Sequence, residues 1–177
     1  MKNFKLNEKD ILSNQDWTFP TTTYYGPGRF NEIAKFCEEF DIKNPLIVTD
    51  SGSKDLPFIK KLIALLSKNY IKSDLFYNIS PNPRDDEISK GCDQFKNGSH
   101  DSIIAIGGGS AMDGGKSICL TVNSETPLWD FEFEQPVPKI TKENAFPKII
   151  TIPTTAGTGA ETEITAMVTH LEKGMKF

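Results

Sequence analysis

Cysteine is scarce in this sequence: Cys37, Cys92 and Cys119 are scattered and odd in number. A disulfide framework or a zinc knuckle needs paired, closely spaced cysteines, and no such pair occurs. Each cysteine falls on an apolar position of a predicted helix, where a thiol serves as a small core residue. No apolar run approaches the roughly 20 residues needed to span a bilayer as a helix. The polar stretch from Met1 to Gln15 lacks the apolar centre of a signal peptide. A membrane partner is therefore not expected, and the cytoplasm is the simplest compartment. Concentrated positive charge is missing too, since 20 Lys and Arg are mixed with 24 Asp and Glu along the chain, for a net charge of −4. Binding a phosphate backbone normally calls for a basic stripe, so no nucleic-acid partner is expected. Internal repeats and low-complexity segments are absent as well.

What is present is an ordinary globular composition with a repeating pattern. The 177 residues are 37% apolar and 25% charged, enough for one domain, or one domain with part of a second. Trp17 to Tyr25 is rich in threonine and aromatics and predicts a strand. Gly26-Pro27-Gly28 turns into a helix that carries Phe30, Ile33, Ala34, Cys37 and Phe40 at helical spacing. Pro45 to Asp50 is a short apolar run of the kind covered on both faces of a sheet. A helix follows, with Pro57 in its first turn and Phe58, Leu62, Leu65 and Leu66 on one stripe.

Ile71 to Tyr77 predicts another strand, and Pro81-Asn82-Pro83 a loop that cannot be helical. Asp85 to Lys96 reads as a helix stopped by Gly98, Ser102 to Ile106 as a strand, and Ala111 to Leu120 as a helix. From Asn123 to Phe146 prolines break any periodicity. Lys148 to Ile152 returns to strand, and Glu163 to Thr169 alternates like one more. Strand–helix alternation of this kind predicts an α/β fold, a parallel sheet with helices on both faces. Ligands of such sheets lie beyond the carboxyl ends of the strands. Four places qualify: Asp50, the Asn82 loop, Gly107 to Ser110, and Thr154 to Gly159.

The stretch Gly107-Gly108-Gly109-Ser110-Ala111-Met112-Asp113-Gly114-Gly115-Lys116 is the most informative of these. Three glycines after a buried strand permit positive φ and a close approach of backbone to ligand. The helix that follows aims its free amides and positive dipole end at that point, which suits a phosphate. Ser110 is expected to cap this helix and to donate to a phosphate oxygen. Two better-known phosphate motifs do not fit. A P-loop would need glycine where Ser110 stands, and the Rossmann fingerprint would need it where Met112 stands. Thr154, Thr155 and Thr158 supply hydroxyls on a second flexible loop, a weak signal by itself. Asp50, at a strand tip, can accept from the ribose hydroxyls of adenosine and repel a 2′-phosphate, although it can equally be a turn or cap aspartate.

Taken together, Gly107 to Ser110 with Asp113 and Lys116, and Pro153-Thr154-Thr155-Ala156-Gly157-Thr158-Gly159-Ala160-Glu161, resemble the iron-containing (group III) alcohol dehydrogenases. Leu46 to Asp50 and Pro81-Asn82-Pro83 agree in order and spacing, and the resemblance runs from about Tyr24 onward. It implies a Rossmann-like parallel sheet with an N-terminal strand and a truncated C-terminal β-hairpin, residues 1–177 being one dinucleotide-binding domain. The family's C-terminal helical metal domain would be absent.

The resemblance further implies NAD as cofactor, with Gly108, Gly109 and Ser110 on the pyrophosphate and Asp113 close behind. Asn82 would line the cleft, Thr154, Thr155 and Thr158 would lie near the adenine and phosphates, and Lys176 would reach the nicotinamide ribose. The substrate would be a small-molecule alcohol or aldehyde, polarised by iron or another divalent metal in the full-length parent only. The family's metal ligands, an aspartate and three histidines, would by the resemblance fall past Phe177. His100 and His170, the two histidines here, match no ligand position and are expected on the surface. Thr165 stands where some relatives carry asparagine. A dehydroquinate-synthase-like or glycerol-dehydrogenase-like NAD enzyme, or a non-catalytic nucleotide-binding module, stays open at this point. So does a homodimer paired through Trp17 to Tyr25.

Overall fold

Four of the predicted apolar runs form one parallel sheet in the computed structural model, which describes residues 15–17, 21–136, 138–139 and 145–177. These strands are β3 (Pro45–Asp50), β4 (Asp74–Ile79), β5 (Ser102–Gly107) and β6 (Lys148–Pro153), in the order β4-β3-β5-β6. The connecting helices are α2 (Pro57–Lys68), α3 (Asp85–Asn97) and α4 (Gly109–Thr121), and α1 (Ile33–Glu39) precedes β3. From β3 the chain moves outward to β4, then crosses back past β3 to β5 and on to β6. The order therefore reverses between β3 and β5, and crevices for ligands open at such a reversal.

Period-two alternation explains why both faces are covered. Leu46, Val48, Ile103 and Ala105 point to one face and pack with Ile88 and Phe95 of α3 and Met112 and Ile118 of α4. Ile47, Ile104 and Ile106 point to the other and meet Ile33 and Cys37 of α1 and Ile59, Leu62 and Leu66 of α2. The close approach of α4 to the sheet depends on its small residues. A Cβ at Gly115 would fall 2.5 Å from the Ala105 Cβ, and one at Gly91 of α3 would fall 2.3 Å from Ile118 Cδ1.

Several boundaries differ from the sequence reading. Trp17 to Tyr25 is not one strand: β1 (Gln15–Trp17) and β2 (Thr23–Tyr25) pair antiparallel, and residues 18–20 lie outside the described residues. The helix expected from Phe30 opens as a 3-10 turn, Arg29–Glu32, before α1 begins. Strand β4 starts three residues late because Ile71 still closes α2, its amide bonding Leu66 O at 3.1 Å after Tyr70 turns at φ 61°. The described residues between 123 and 146 are irregular as expected, apart from a 3-10 turn at Leu128–Phe131, and 137 and 140–144 lie outside the described residues.

Glu163 to Thr169 is not the strand that its alternation suggests: the segment up to Val168 is irregular, and only Thr169 of the run belongs to a strand. The ladder is β7 (Thr169–His170) with β8 (Met175–Lys176), closed by Gly174 at φ 63°. The carbonyls of Glu163 and Thr165 instead accept from the Lys116 ammonium, which diverts them from any sheet. Among the described residues no helix is long and apolar enough to cross a membrane.

Candidate functional site

Parallel pairing delivers the strand ends to one edge. Gly107 sits beside Pro153 in the β5–β6 register, and Asp50 beside Ile79 in the β3–β4 register. The loops after these strands therefore adjoin, as the sequence reading required. Gly107 has φ 148°, a conformation disfavoured for side-chain-bearing residues, and a Cβ there would lie 2.7 Å from the Ala111 Cβ and 3.2 Å from Asp50 Oδ2. Gly108 faces Thr155 and Gly109 faces Thr158, whose Oγ1 and Cγ2 would both lie 3.0 Å from a Cβ at 109. The Thr154 amide donates to Gly107 O at 2.8 Å and binds the two loops edge to edge.

The first intrahelical bond of α4 runs from the Met112 amide to Gly108 O at 3.2 Å. The amides of Gly109, Ser110 and Ala111 precede it and have no carbonyl within the helix to bond. No acidic residue stands in this first turn, so the positive end of the dipole is not neutralised from within. Gly108, Gly109 and Ser110 are half-exposed, and Thr154 through Thr158 are exposed. A cradle of this kind is open to an anion and lined by backbone donors.

Ser110 corrects one expectation. The cap of α4 is Gly108, without a side-chain cap bond, and Ser110 lies inside the first turn. Its hydroxyl donates to Pro81 O at 2.6 Å, so it ties α4 to the Asn82 loop. Asn82 in turn meets Lys176 of β8, whose ammonium donates to Asn82 Oδ1 at 3.2 Å. A lysine ammonium has only donors, so the carboxamide oxygen must face it, and the NH2 is left as the group able to donate to a ligand.

Asp50 fulfils the turn role: Oδ1 accepts from the Gly52 and Ser53 amides at 3.0 Å each, and Oδ2 from Ser53 Oγ at 2.7 Å. It nonetheless stands at the edge of the glycine loop. Asp113 is paired with Lys116 at 3.4 Å, both side chains largely buried. Burial pushes the Asp113 carboxyl above its ordinary value, and the Lys116 charge opposes that shift. Lys116 also donates to the carbonyls of Glu163 and Thr165, so it fastens the segment after the threonine loop to α4. Neither Lys116, although it stands in the glycine motif, nor Glu87 carries a site role from the sequence pattern alone. The signal for Glu87 was available in its position, three residues after Arg84 at the start of a helix.

Both histidines are less exposed than the sequence reading expected. The His100 side chain is fully buried, with Nδ1 3.0 Å from Asn44 O and Nε2 3.4 Å from Asp74 Oδ2, at the opposite end of the sheet. His170 stacks on Trp129 at 4.6 Å between ring centroids. Trp129 Nε1 and the Leu171 amide donate to Asp85, which anchors the hairpin that carries Lys176. Cys37 and Cys119 are buried as predicted, and Cys92 is half-buried. Among the described residues no group of three or more His, Cys, Asp or Glu could hold a metal ion. The metal that the resemblance implies therefore finds no ligand set here. A groove of about 660 Å³ runs between β2, α1 and β6, lined largely by apolar groups such as Phe36, Ile150 and Ile152 but also by Arg29, Lys148 and Glu161, and no glycine-loop residue lines it.

Comparison with known proteins gives a consistent picture. The family model described as iron-containing alcohol dehydrogenase matches residues 20–177. Choline dehydrogenase of Bacillus subtilis (strain 168) is 32% identical over 174 residues, which is 97% of this chain and 43% of that protein. Among solved structures, 1,3-propanediol oxidoreductase superposes with a TM-score of 0.78 at 29% identity, covering 86% of this chain and 38% of that one. Sulfoacetaldehyde reductase from Bifidobacterium kashiwanohense, solved in complex with NAD+, superposes with a TM-score of 0.74 at 28% identity, covering 85% and 39%. The chain thus spans about 40% of the length of the proteins it matches.

Proposed function

The chain belongs to the iron-containing alcohol dehydrogenase family, and from that premise we propose that residues 1–177 are the dinucleotide-binding domain of an NAD-dependent, metal-dependent alcohol dehydrogenase. The observation that carries this reading is the meeting of the glycine loop, Asp50 and the threonine loop beyond β3, β5 and β6, where the strand order reverses. The pyrophosphate lies on the backbone of Gly108, Gly109 and Ser110, with Asp113 behind them. Asp50 accepts from the adenosine ribose. Thr154, Thr155 and Thr158 close over the cofactor from the β6 side, and Asn82 and Lys176 approach it from the hairpin side.

NAD supplies the hydride acceptor when bound, and the partner is a small alcohol or aldehyde. This chain's own residues bind and orient the dinucleotide. The described residues offer no ligand set for iron or another divalent metal. We place the protein in the cytoplasm, with the N-terminal hairpin as the pairing surface of a homodimer.

Calorimetric titration tests the reading. NAD is expected to bind the chain saturably and more tightly than NADP, because the Asp50 carboxylate repels a 2′-phosphate. Equal affinities would remove the Asp50 assignment, and no saturation with either cofactor would remove the function.

A further inference from the structure

A buried carboxylate that cofactor binding does not itself use stands at the first turn of α3. Glu87 is 5% exposed, and burying a charge is unfavourable unless donors surround it. Its donors all come from the five residues before the helix. Oε2 accepts from the Ser80 amide at 3.2 Å and the Arg84 amide at 3.1 Å, and Oε1 lies 3.3 Å from an Arg84 guanidinium nitrogen. Ser80 Oγ is 3.0 Å from Oε2 and 2.8 Å from Asn82 O, so its single proton serves one or the other. Prolines have no amide hydrogen. Within Ser80-Pro81-Asn82-Pro83-Arg84 only three backbone donors exist, and Glu87 holds two of them, one at each end.

Capping alone does not explain this. An acidic residue at the third helical position satisfies the amide of the cap residue, here Arg84. The contacts to Ser80, seven residues upstream, lie outside anything the helix end requires. They close the Pro-Asn-Pro segment into a fixed loop, and that loop presents Pro81 O to Ser110 and Asn82 Oδ1 to Lys176. Ser110 belongs to the glycine cradle, and the Lys176 charge is felt by Asp113 on the same helix.

We propose that Glu87 is a positioning residue that holds the 80–84 loop in register with the glycine loop, so that the cradle is assembled before a dinucleotide arrives. The inference rests on the reading of that cradle as the dinucleotide site. Binding to a preassembled loop avoids the ordering cost that a loose loop would subtract from affinity.

Titration of the 177-residue chain with NAD, together with thermal unfolding, tests it. Glu87→Met keeps the volume and removes both acceptors, and it is expected to weaken NAD binding about tenfold. Glu87→Gln keeps an oxygen where Oε2 stands and is expected to recover affinity to within about threefold of the parent. Gly91→Ala is the control, since its Cβ would strike Ile118 Cδ1 at 2.3 Å between α3 and α4, away from the loop. It should lower the Tm yet leave the NAD affinity of the folded protein unchanged.

Glu87→Met binding NAD as the parent does would overturn the proposal. So would a loss in Gly91→Ala that matches the loss in Glu87→Met, because both would then reflect general loosening. A parent chain that fails to bind NAD sinks the underlying reading instead, and the parent titration separates the two failures. Hydrogen exchange on the unmutated chain needs no variant: the Ser80 and Arg84 amides should exchange more slowly than the Asn82 amide. Equal exchange of all three contradicts the proposal.

Discussion

Gly109→Val is expected to separate binding from folding. Gly109 opens α4, is half-exposed, and is not among the residues with positive φ, so a β-branched residue can take up its backbone. Its new Cβ would meet Thr158 at 3.0 Å, on an exposed loop that can retreat by a few tenths of an ångström. Overpacking of that extent costs about 1 kcal/mol, or roughly 2–4 °C in Tm for a chain of this size. Binding suffers far more. On the proposed reading the isopropyl group lies over the amides that hold the diphosphate, and loss of one hydrogen bond to a charged group costs about 1.5–3 kcal/mol, which is roughly tenfold to more than a hundredfold in affinity. Calorimetry with NAD and thermal unfolding on the same preparation read both quantities. Gly107→Val provides the contrast, because φ 148° and the 2.7 Å approach of Ala111 make that glycine a requirement of the fold itself. Unchanged NAD affinity in Gly109→Val would refute the cradle, and a Tm loss as large as that of Gly107→Val would refute the separation.

Burial raises the Cys37 thiol to about 11 and the Cys119 thiol to about 12 from an ordinary 9.0, so both stay protonated in the fold. A folded-state value raised above the unfolded one means stability that is complete below pH 9 and falls as pH climbs toward 11, by about 1.4 kcal/mol per pH unit for each thiol at most. Denaturant titrations at pH 8 and pH 10.5 should show this fall, and equal midpoints would contradict it. The 177-residue chain supplied with NAD and iron or zinc is expected to oxidise no alcohol, given that its described residues hold no metal-ligand group. Turnover well above the protein-free background would overturn that expectation.

The sheet was legible because its strands announce themselves twice over. Pro45–Asp50 and Ser102–Gly107 are continuous apolar runs, and each is followed by a helical stripe that packs on one face. The glycine loop was legible because three glycines between a buried strand and a helix have few other uses. What was not legible is tertiary. Ser110 looks like a cap until the Asn82 loop arrives from 29 residues away to take its hydroxyl. His100 looks like a surface residue until Asn44, 56 residues away, and Asp74 close around it. Glu163 to Val168 alternates like a strand, but Lys116 takes the Glu163 and Thr165 carbonyls, and the pairing with the C-terminal end begins only at Val168, opposite Phe177. Glu87 shows the same limit: its capping position is visible in sequence, but its grip on Ser80 depends on how the prolines fold the loop back.

The proposed function stands on a grip of the amides opening α4 on a dinucleotide's diphosphate. Amide-resolved NMR of the 15N-labelled chain during addition of NAD tests it most directly. Saturable shifts are expected to be largest at Gly108, Gly109, Ser110 and Ala111, with smaller ones at Thr155 and Thr158. Shifts confined to the apolar groove beside β6, or none at all up to millimolar NAD, would contradict it.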